Sequence, residues 1–289
     1  MTKPRRSKIG ERKHCIFCGP LANTAKISRE HLWSAWMEPL LADGATEGRL
    51  EVSHNFAMAT APFGETKQWN RDGATHKATF RVACETCNNT WMSVIETTAK
   101  AFLTPLIKGE VTFVSPQIAQ HLARWIALKV MVIDGASVAG ERATPTFEQC
   151  TREAFRATRE VPPGLRTWIG AAGGPKWRAS FTRHSGTMFL SPTPLLADEL
   201  IPTGPRRNIQ SVTLGIGNLL LHVVSTSDAE LYSAIKWEDP PTCVPIWPPT
   251  SETILWPPNS ALTDWSIDAD VASALGQLFR ELPRRAHQS

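Results

Sequence analysis

Two cysteine pairs, Cys15–Cys18 and Cys84–Cys87, each leave two residues between their thiols. In a reducing compartment that spacing points to metal ligation rather than a disulfide framework. Four thiolates satisfy the tetrahedral preference of Zn²⁺ and close it to a reactive water. Chemistry must therefore come from groups that the zinc positions. Sixty-five residues lie between Cys18 and Cys84, and closing such a loop costs roughly 3.7 kcal/mol plus a constant. Structural zinc contributes on the order of 10–16 kcal/mol in small peptides, so the metal prevails. Cys150 and Cys243 stand alone and read as small apolar residues.

Three side chains near the pairs could do chemistry. Glu30 is a hard oxygen donor suited to Mg²⁺ or Mn²⁺. His31 beside it has an ordinary pKa of about 6.5, near the optimum for a general base at neutral pH. Asn88 follows Cys87 directly, and its amide oxygen can ligate a hard cation. A zinc shared by Cys18 and Cys87 would bring the Glu30–His31 segment next to Asn88. Each residue also has a structural reading: Ser28 could cap a helix whose first turn holds Glu30 and His31, and Asn88 could be an N-cap. His14 beside a ligand reads as a neighbour of the zinc site rather than a ligand, and His54 and His76 receive no role.

Cys-x-x-Cys, then an acid–His pair, then Cys-x-x-Cys-Asn resembles the HNH endonucleases. Residues 28–33, Ser-Arg-Glu-His-Leu-Trp, and residues 84–96, opening Cys-Glu-Thr-Cys-Asn-Asn, look like HNH proteins of bacteria and phages. The resemblance covers residues 14–100. It implies a zinc-stapled treble-clef ββα-metal unit, with Cys15, Cys18, Cys84 and Cys87 on a structural Zn²⁺. It implies Glu30 and Asn88 as ligands of a catalytic Mg²⁺ or Mn²⁺, and His31 as the base that activates water. Asn55, in Ser53-His54-Asn55-Phe56, would brace the loop carrying the base, with Asn70 as the alternative. The expected reaction is divalent-metal-dependent hydrolysis of phosphodiester bonds in DNA. Many family members carry Lys where this chain has Trp91. Glu96, two turns beyond Asn88, either joins the site or pairs with a basic residue. A zinc-dependent nucleic-acid binder without catalysis, and a nuclease acting on RNA, are the alternative readings.

The positioning elements follow from local signals. Residues 28–37 pass from a short strand or turn into a helical turn ending near Pro39. Residues 42–75 look like loops with short strands, and residues 76–83 like a strand entering Cys84. A helix is expected from about Asn88 to Leu106. Ser115-Pro116 is a helix start, with Ser as cap and Pro in the first turn. That helix runs to about Ile133, with Ile118, Leu122, Trp125, Ile126 and Ile133 on its apolar face. Lys129 falls on the same face, where it must snorkel, pair or meet substrate phosphate. A weaker helix covers Thr146–Thr158, and strands follow at residues 165–170, 177–182, 187–190, 209–214 and 218–225. Two Trp-Pro-Pro repeats read as extended straps, since Pro cannot serve a central strand. A last amphipathic helix is expected over residues 268–282.

The fold class expected is thus α+β: the zinc-stapled unit over residues 1–108, then an α+β domain with antiparallel strands over 109–289. The 42% apolar and 20% charged content is that of a globular chain. No apolar run is long enough for a membrane span, and no secretory h-region follows the basic start. A cytoplasmic protein is expected, with nucleic acid as partner and no membrane. Net charge is only +4, but Lys3, Arg5, Arg6, Lys8, Arg12 and Lys13 crowd the first thirteen residues. They form either a solvated tail or a basic arm on a phosphate backbone.

Overall fold

The computed structural model describes residues 14–20, 22, 26–42, 50–54, 67–71, 78–137, 145–173, 179–186, 207–235, 237, 239–240, 243–258 and 261–263. The basic arm, Asn55, His76, the strand expected at residues 187–190 and the helix expected at 268–282 lie outside these. Asn70 lies on a described strand, but its side chain does not belong to the described set.

Helix α4, Pro116–Ser137, is the element around which the rest is built. It starts where the sequence placed it, with the Ser115 hydroxyl accepting from the Ile118 amide at 3.3 Å. From Trp125 to Ala136 every residue is buried, as befits a helix apolar on all sides. Lys129 and Asp134 are the charged side chains in this stretch, and both are fully buried.

On one side of α4 lies the N-terminal unit. Strand β1, Glu30–His31, pairs antiparallel with β4, Thr79–Phe80. Between them the chain makes a turn of 3₁₀ helix at Ala35–Met37, helix α1 at Glu38–Ala42 and a hairpin of β2, Leu50–His54, with β3, Lys67–Arg71. Pro39 does not end the helical turn as expected. It sits in the first turn of α1, where a missing N–H leaves no bond unmade. After β4 a helical run begins at α2, Glu85–Cys87, passes through a π-helical turn at Asn88–Met92 and continues as α3, Ser93–Lys108. Gly109 ends it in the left-handed region at φ 74°, its amide bonded to the Leu106 carbonyl.

On the other side lies a six-stranded sheet. Strands β6 (Leu165–Gly173), β7 (Ala179–Gly186), β8 (Ile209–Ile216), β9 (Leu219–Thr226) and β10 (Cys243–Trp247) run antiparallel in the order β10-β6-β9-β8-β7. Strand β12, Ala261–Thr263, adds parallel to β6. Every residue of β8 and β9 is buried, so both faces of the sheet are covered there. Helices α5, Gln149–Thr158, and α6, Ala229–Ala234, are the remaining helices among the described residues. Pro245 lies on β10, which pairs with β6 alone among the described strands, as Pro requires. The second Trp-Pro-Pro strap enters as β11, Ile254–Trp256, paired with β5, Thr112–Val114. Mixed helix and antiparallel sheet, α+β, is the class expected.

The core does not divide at residue 108. One contiguous apolar cluster runs from Cys15 through α3 and α4 to Trp256. Among the described residues, no helix is long and apolar enough to cross a membrane.

Candidate metal centre and its flanking ribbon

The four cysteines come together as their spacing predicts. One ligand atom from each of Cys15, Cys18, Cys84 and Cys87 lies within 4.8 Å of all the others. The Cys18 Sγ stands 3.8 Å from Cys84 and 3.5 Å from Cys87. A tetrahedral Zn²⁺ with bonds of about 2.3 Å separates its sulfurs by roughly 3.8 Å, so the donors fit this ion. Local structure explains the approach. Gly19, at φ 78°, closes the first knuckle with its amide on the Cys15 carbonyl at 3.0 Å. Cys84 caps α2, its sulfur accepting from the Cys87 amide. As a cluster of thiols the group is electrostatically frustrated. The hydrogen bond from Cys87 lowers the Cys15 thiol to about 5. Burial pushes Cys18 up to about 11, and the hydrogen bond to Cys15 raises Cys87. The raised Cys18 and Cys87 thiols resist ionisation as they stand, which is what a divalent cation relieves. Cys150, read as a small apolar residue, is instead exposed, its thiol 3.6 Å from the Glu148 carboxylate.

Next to this centre the ribbon of β1 and β4 lies against the helical run. The Asn88 Nδ2 donates to the Ser28 Oγ at 3.1 Å and, longer, to the Arg29 carbonyl at 3.5 Å. Asn88 is therefore brought to the segment that carries Glu30 and His31. It is not an N-cap, since Cys84 holds that place. Neither does Ser28 cap a helix: residues 30 and 31 are strand, and the Ser28 hydroxyl donates to the Ala83 carbonyl at 3.1 Å.

Strand alternation sends Glu30 and His31 to opposite faces. The Glu30 carboxylate is 4% exposed and turns into the core, while His31 is exposed. Lys129 of α4 meets Glu30 there, its Nζ 2.7 Å from Oε1, 2.7 Å from the His31 carbonyl and 2.5 Å from Glu96 Oε1. Ser34 donates a further bond to Glu96 at 2.7 Å. Lys129 thus pairs rather than snorkels, and Glu96 takes the basic partner expected of it. Burial opposes the charge on all three groups. For Lys129 the two carboxylates overcome it and raise the ammonium. For Glu96 the ammonium and Ser34 overcome it and lower the carboxyl. Burial raises Glu30, because one ammonium shared between two carboxylates cannot offset it at the deeper site.

Glu30 as placed does not fit a divalent ion. Its carboxylate already faces a cation, and a second cation would have to displace the Lys129 ammonium. Asn88 stands at the ribbon's edge, and Asn55 lies outside the described residues. Trp91, where many HNH proteins carry Lys, is buried edge-on against Phe17 at 4.9 Å, with the Arg159 guanidinium 4.6 Å from its ring centre. That position is packing.

A second buried charge cluster escaped the sequence reading. Asp134 accepts from Arg152 Nη2 at 2.6 Å and Arg183 Nη2 at 2.5 Å, and from the amides of Thr146 and Phe147. Burial would raise Asp134, but the two guanidinium groups hold it below the usual carboxylate range. The available signal was a carboxylate in an apolar helix, the same anomaly that marked Lys129. Compared with protein-family models, with curated proteins and with solved structures, the chain matches none.

Proposed function

We propose that the N-terminal unit is an HNH-type nuclease that hydrolyses phosphodiester bonds of nucleic acid, DNA in the first place. The observation carrying this reading is the Asn88–Ser28 contact beside the four-cysteine centre, which lays the helix against the strand bearing an exposed His31. In the proposed reaction His31 takes a proton from water on the outer face of the ribbon. The oxygen attacks phosphorus, the bond to the leaving sugar oxygen breaks, and that oxygen takes up a proton. Asn88, through its amide oxygen, remains as the residue that would hold a divalent ion, which would supply charge stabilisation at the phosphate. Glu30 takes no part in these steps and holds β1 on Lys129.

Nicking of supercoiled plasmid with Mg²⁺ or Mn²⁺, beside His31→Ala, tests the proposal. General-base removal costs about 10²–10⁴-fold in rate, and zinc content should be unchanged because His31 ligates no zinc. Cutting that survives His31→Ala undiminished rejects the assigned base. The Glu30–Lys129 pair favours a second reading, a zinc-stapled binder without catalysis. Steep salt-dependent binding with no cutting by the wild type would establish that one.

A further inference from the structure

Helix α5 ends on Arg159, which adopts the left-handed conformation at φ 63°, its amide bonded to the Phe155 carbonyl at 2.9 Å. The other described residues with positive φ are glycines: Gly19, Gly109, Gly164 and Gly217. Glycine is what this place at a helix end ordinarily takes, because a side chain strains the backbone there. Residues held in such strain cluster at functional sites. Two further costs fall on Arg159. Burial and the charge of Arg156, three residues back on α5, both oppose its own charge, while Cys87 acts the other way.

The surroundings show what offsets these costs. The Arg159 guanidinium lies 4.6 Å from the ring centre of Trp91. Trp91 meets Phe17, set between Cys15 and Cys18, at 4.9 Å, and lies in the π-helical turn that Cys87 leads into. At the other end of α5, Gln149 donates to the Ile16 carbonyl at 3.2 Å. Contacts at both of its ends thus lay α5 along the metal centre. Four thiolates on Zn²⁺ leave two negative charges in excess, and three of the four cysteines here are buried. Charge in such a place requires a partner of opposite sign. We propose that Arg159 is the counter-cation of the zinc tetrathiolate, held over Trp91 so that its charge reaches the sulfurs on the side of Cys87. Halving the excess charge makes the zinc slow to leave and its thiolates poor nucleophiles. The inference concerns the centre's own chemistry and holds whether or not the unit cuts nucleic acid.

The test uses the full chain loaded with Zn²⁺ and reads zinc affinity by competition with a chromophoric chelator. Loss of a side chain that supports a metal's ligands costs about 10–100-fold in affinity. Arg159→Gln should show a loss of that size, and so should Arg159→Gly, although glycine relieves the backbone. Arg159→Lys keeps the charge and should stay close to the wild type. Lys108→Gln, at the far end of α3, removes an equal charge and should leave affinity unchanged. Co²⁺ in place of zinc gives a second readout, since a cation beside sulfur holds its electrons more tightly. The sulfur-to-cobalt charge-transfer band should move to longer wavelength in Arg159→Gln and Arg159→Gly and stay in place in Arg159→Lys. Wild-type affinity and an unmoved band in Arg159→Gly would reduce Arg159 to a helix terminator and overturn the proposal. An Arg159→Lys as weak as Arg159→Gln would overturn it as well, because charge would then not be what counts. So would a wild type that takes up no zinc. If Arg159→Gly does not fold, the Gln and Lys variants decide by the same comparison.

Discussion

Lys129 is a residue whose importance no motif announces. Its ammonium faces two carboxylates from two different elements, the buried Glu30 of β1 and the half-buried Glu96 of α3. Lys129→Met keeps the side chain's length and removes the charge. Breaking a buried pair by deleting one partner costs about 3–5 kcal/mol, because the other partner is left charged and unpaired. Urea unfolding at neutral pH should show a loss of that size. The sign with pH is also fixed. Carboxylates stripped of their cation have raised folded values, so the variant should regain stability as pH falls towards the ordinary carboxylate range near 4. A variant as stable as the wild type at neutral pH would mean that the ammonium contributes no net stabilisation. At this scale the sequence was informative about the odd residue and silent about its partner. A lysine on an apolar stripe demanded an explanation, but Glu30 precedes it by ninety-nine positions. Glu30 was read as a metal ligand because its neighbours in sequence, His31 above all, suggested chemistry. The two-residue period of a strand turned it the other way.

Elements were the most legible scale, and the reasons are local. The start of α4 was written in Ser115-Pro116, and the two cysteine pairs wrote the knuckle and the helix entry. Strands β6, β8 and β9 follow from their apolar runs. What local signals missed is how α4 joins the rest. Its two buried charges, five residues apart and so well around the helix, reach opposite ways: Lys129 into the N-terminal unit, Asp134 to Arg152 of α5 and Arg183 of β7. Asp134 has a depressed folded value. Its contribution is complete above the ordinary carboxylate value of about 3.9 and disappears as pH falls through the folded value. Asp134→Asn should therefore destabilise the protein at neutral pH, where it leaves two arginines without their shared anion. Below the folded value the difference from wild type should vanish. Unfolding free energies across an acid pH series measure this directly. Parallel curves for variant and wild type would deny Asp134 its electrostatic part.

At the scale of the whole molecule, the boundary read between residues 108 and 109 meets a core that crosses it. Gln149 of α5 donates to the Ile16 carbonyl in the zinc knuckle at 3.2 Å, and Ile16 packs on Gly135 of α4. Trp91 meets Phe155 at 5.8 Å between ring centres, and the turn between β8 and β9 is tied by Asn218 to the Ile107 carbonyl. None of these pairings was readable, because a single sequence carries periodicity and caps but no record of which distant residues touch. Their sum argues for one cooperative unit. The apolar face of α3 includes Ile95, Leu103, Leu106 and Ile107, all buried. Each such side chain contributes about 1.5–3 kcal/mol on burial. Exposing four therefore costs roughly 6–12 kcal/mol, as large as the ~5–15 kcal/mol stability of a whole domain. Glu30 and Glu96 would lose Lys129 in the same cut. A fragment of residues 1–108, supplied with Zn²⁺, should bind the metal through its four thiols yet show no cooperative thermal transition. The complete chain with Zn²⁺ should show a single one. A sharp unfolding transition in the fragment, close to that of the full chain, would restore the two-domain division. Cutting by that fragment would place the nuclease wholly within it. Failure of the fragment beside an active full chain would make α4 part of the catalytic unit, with Lys129 its point of attachment.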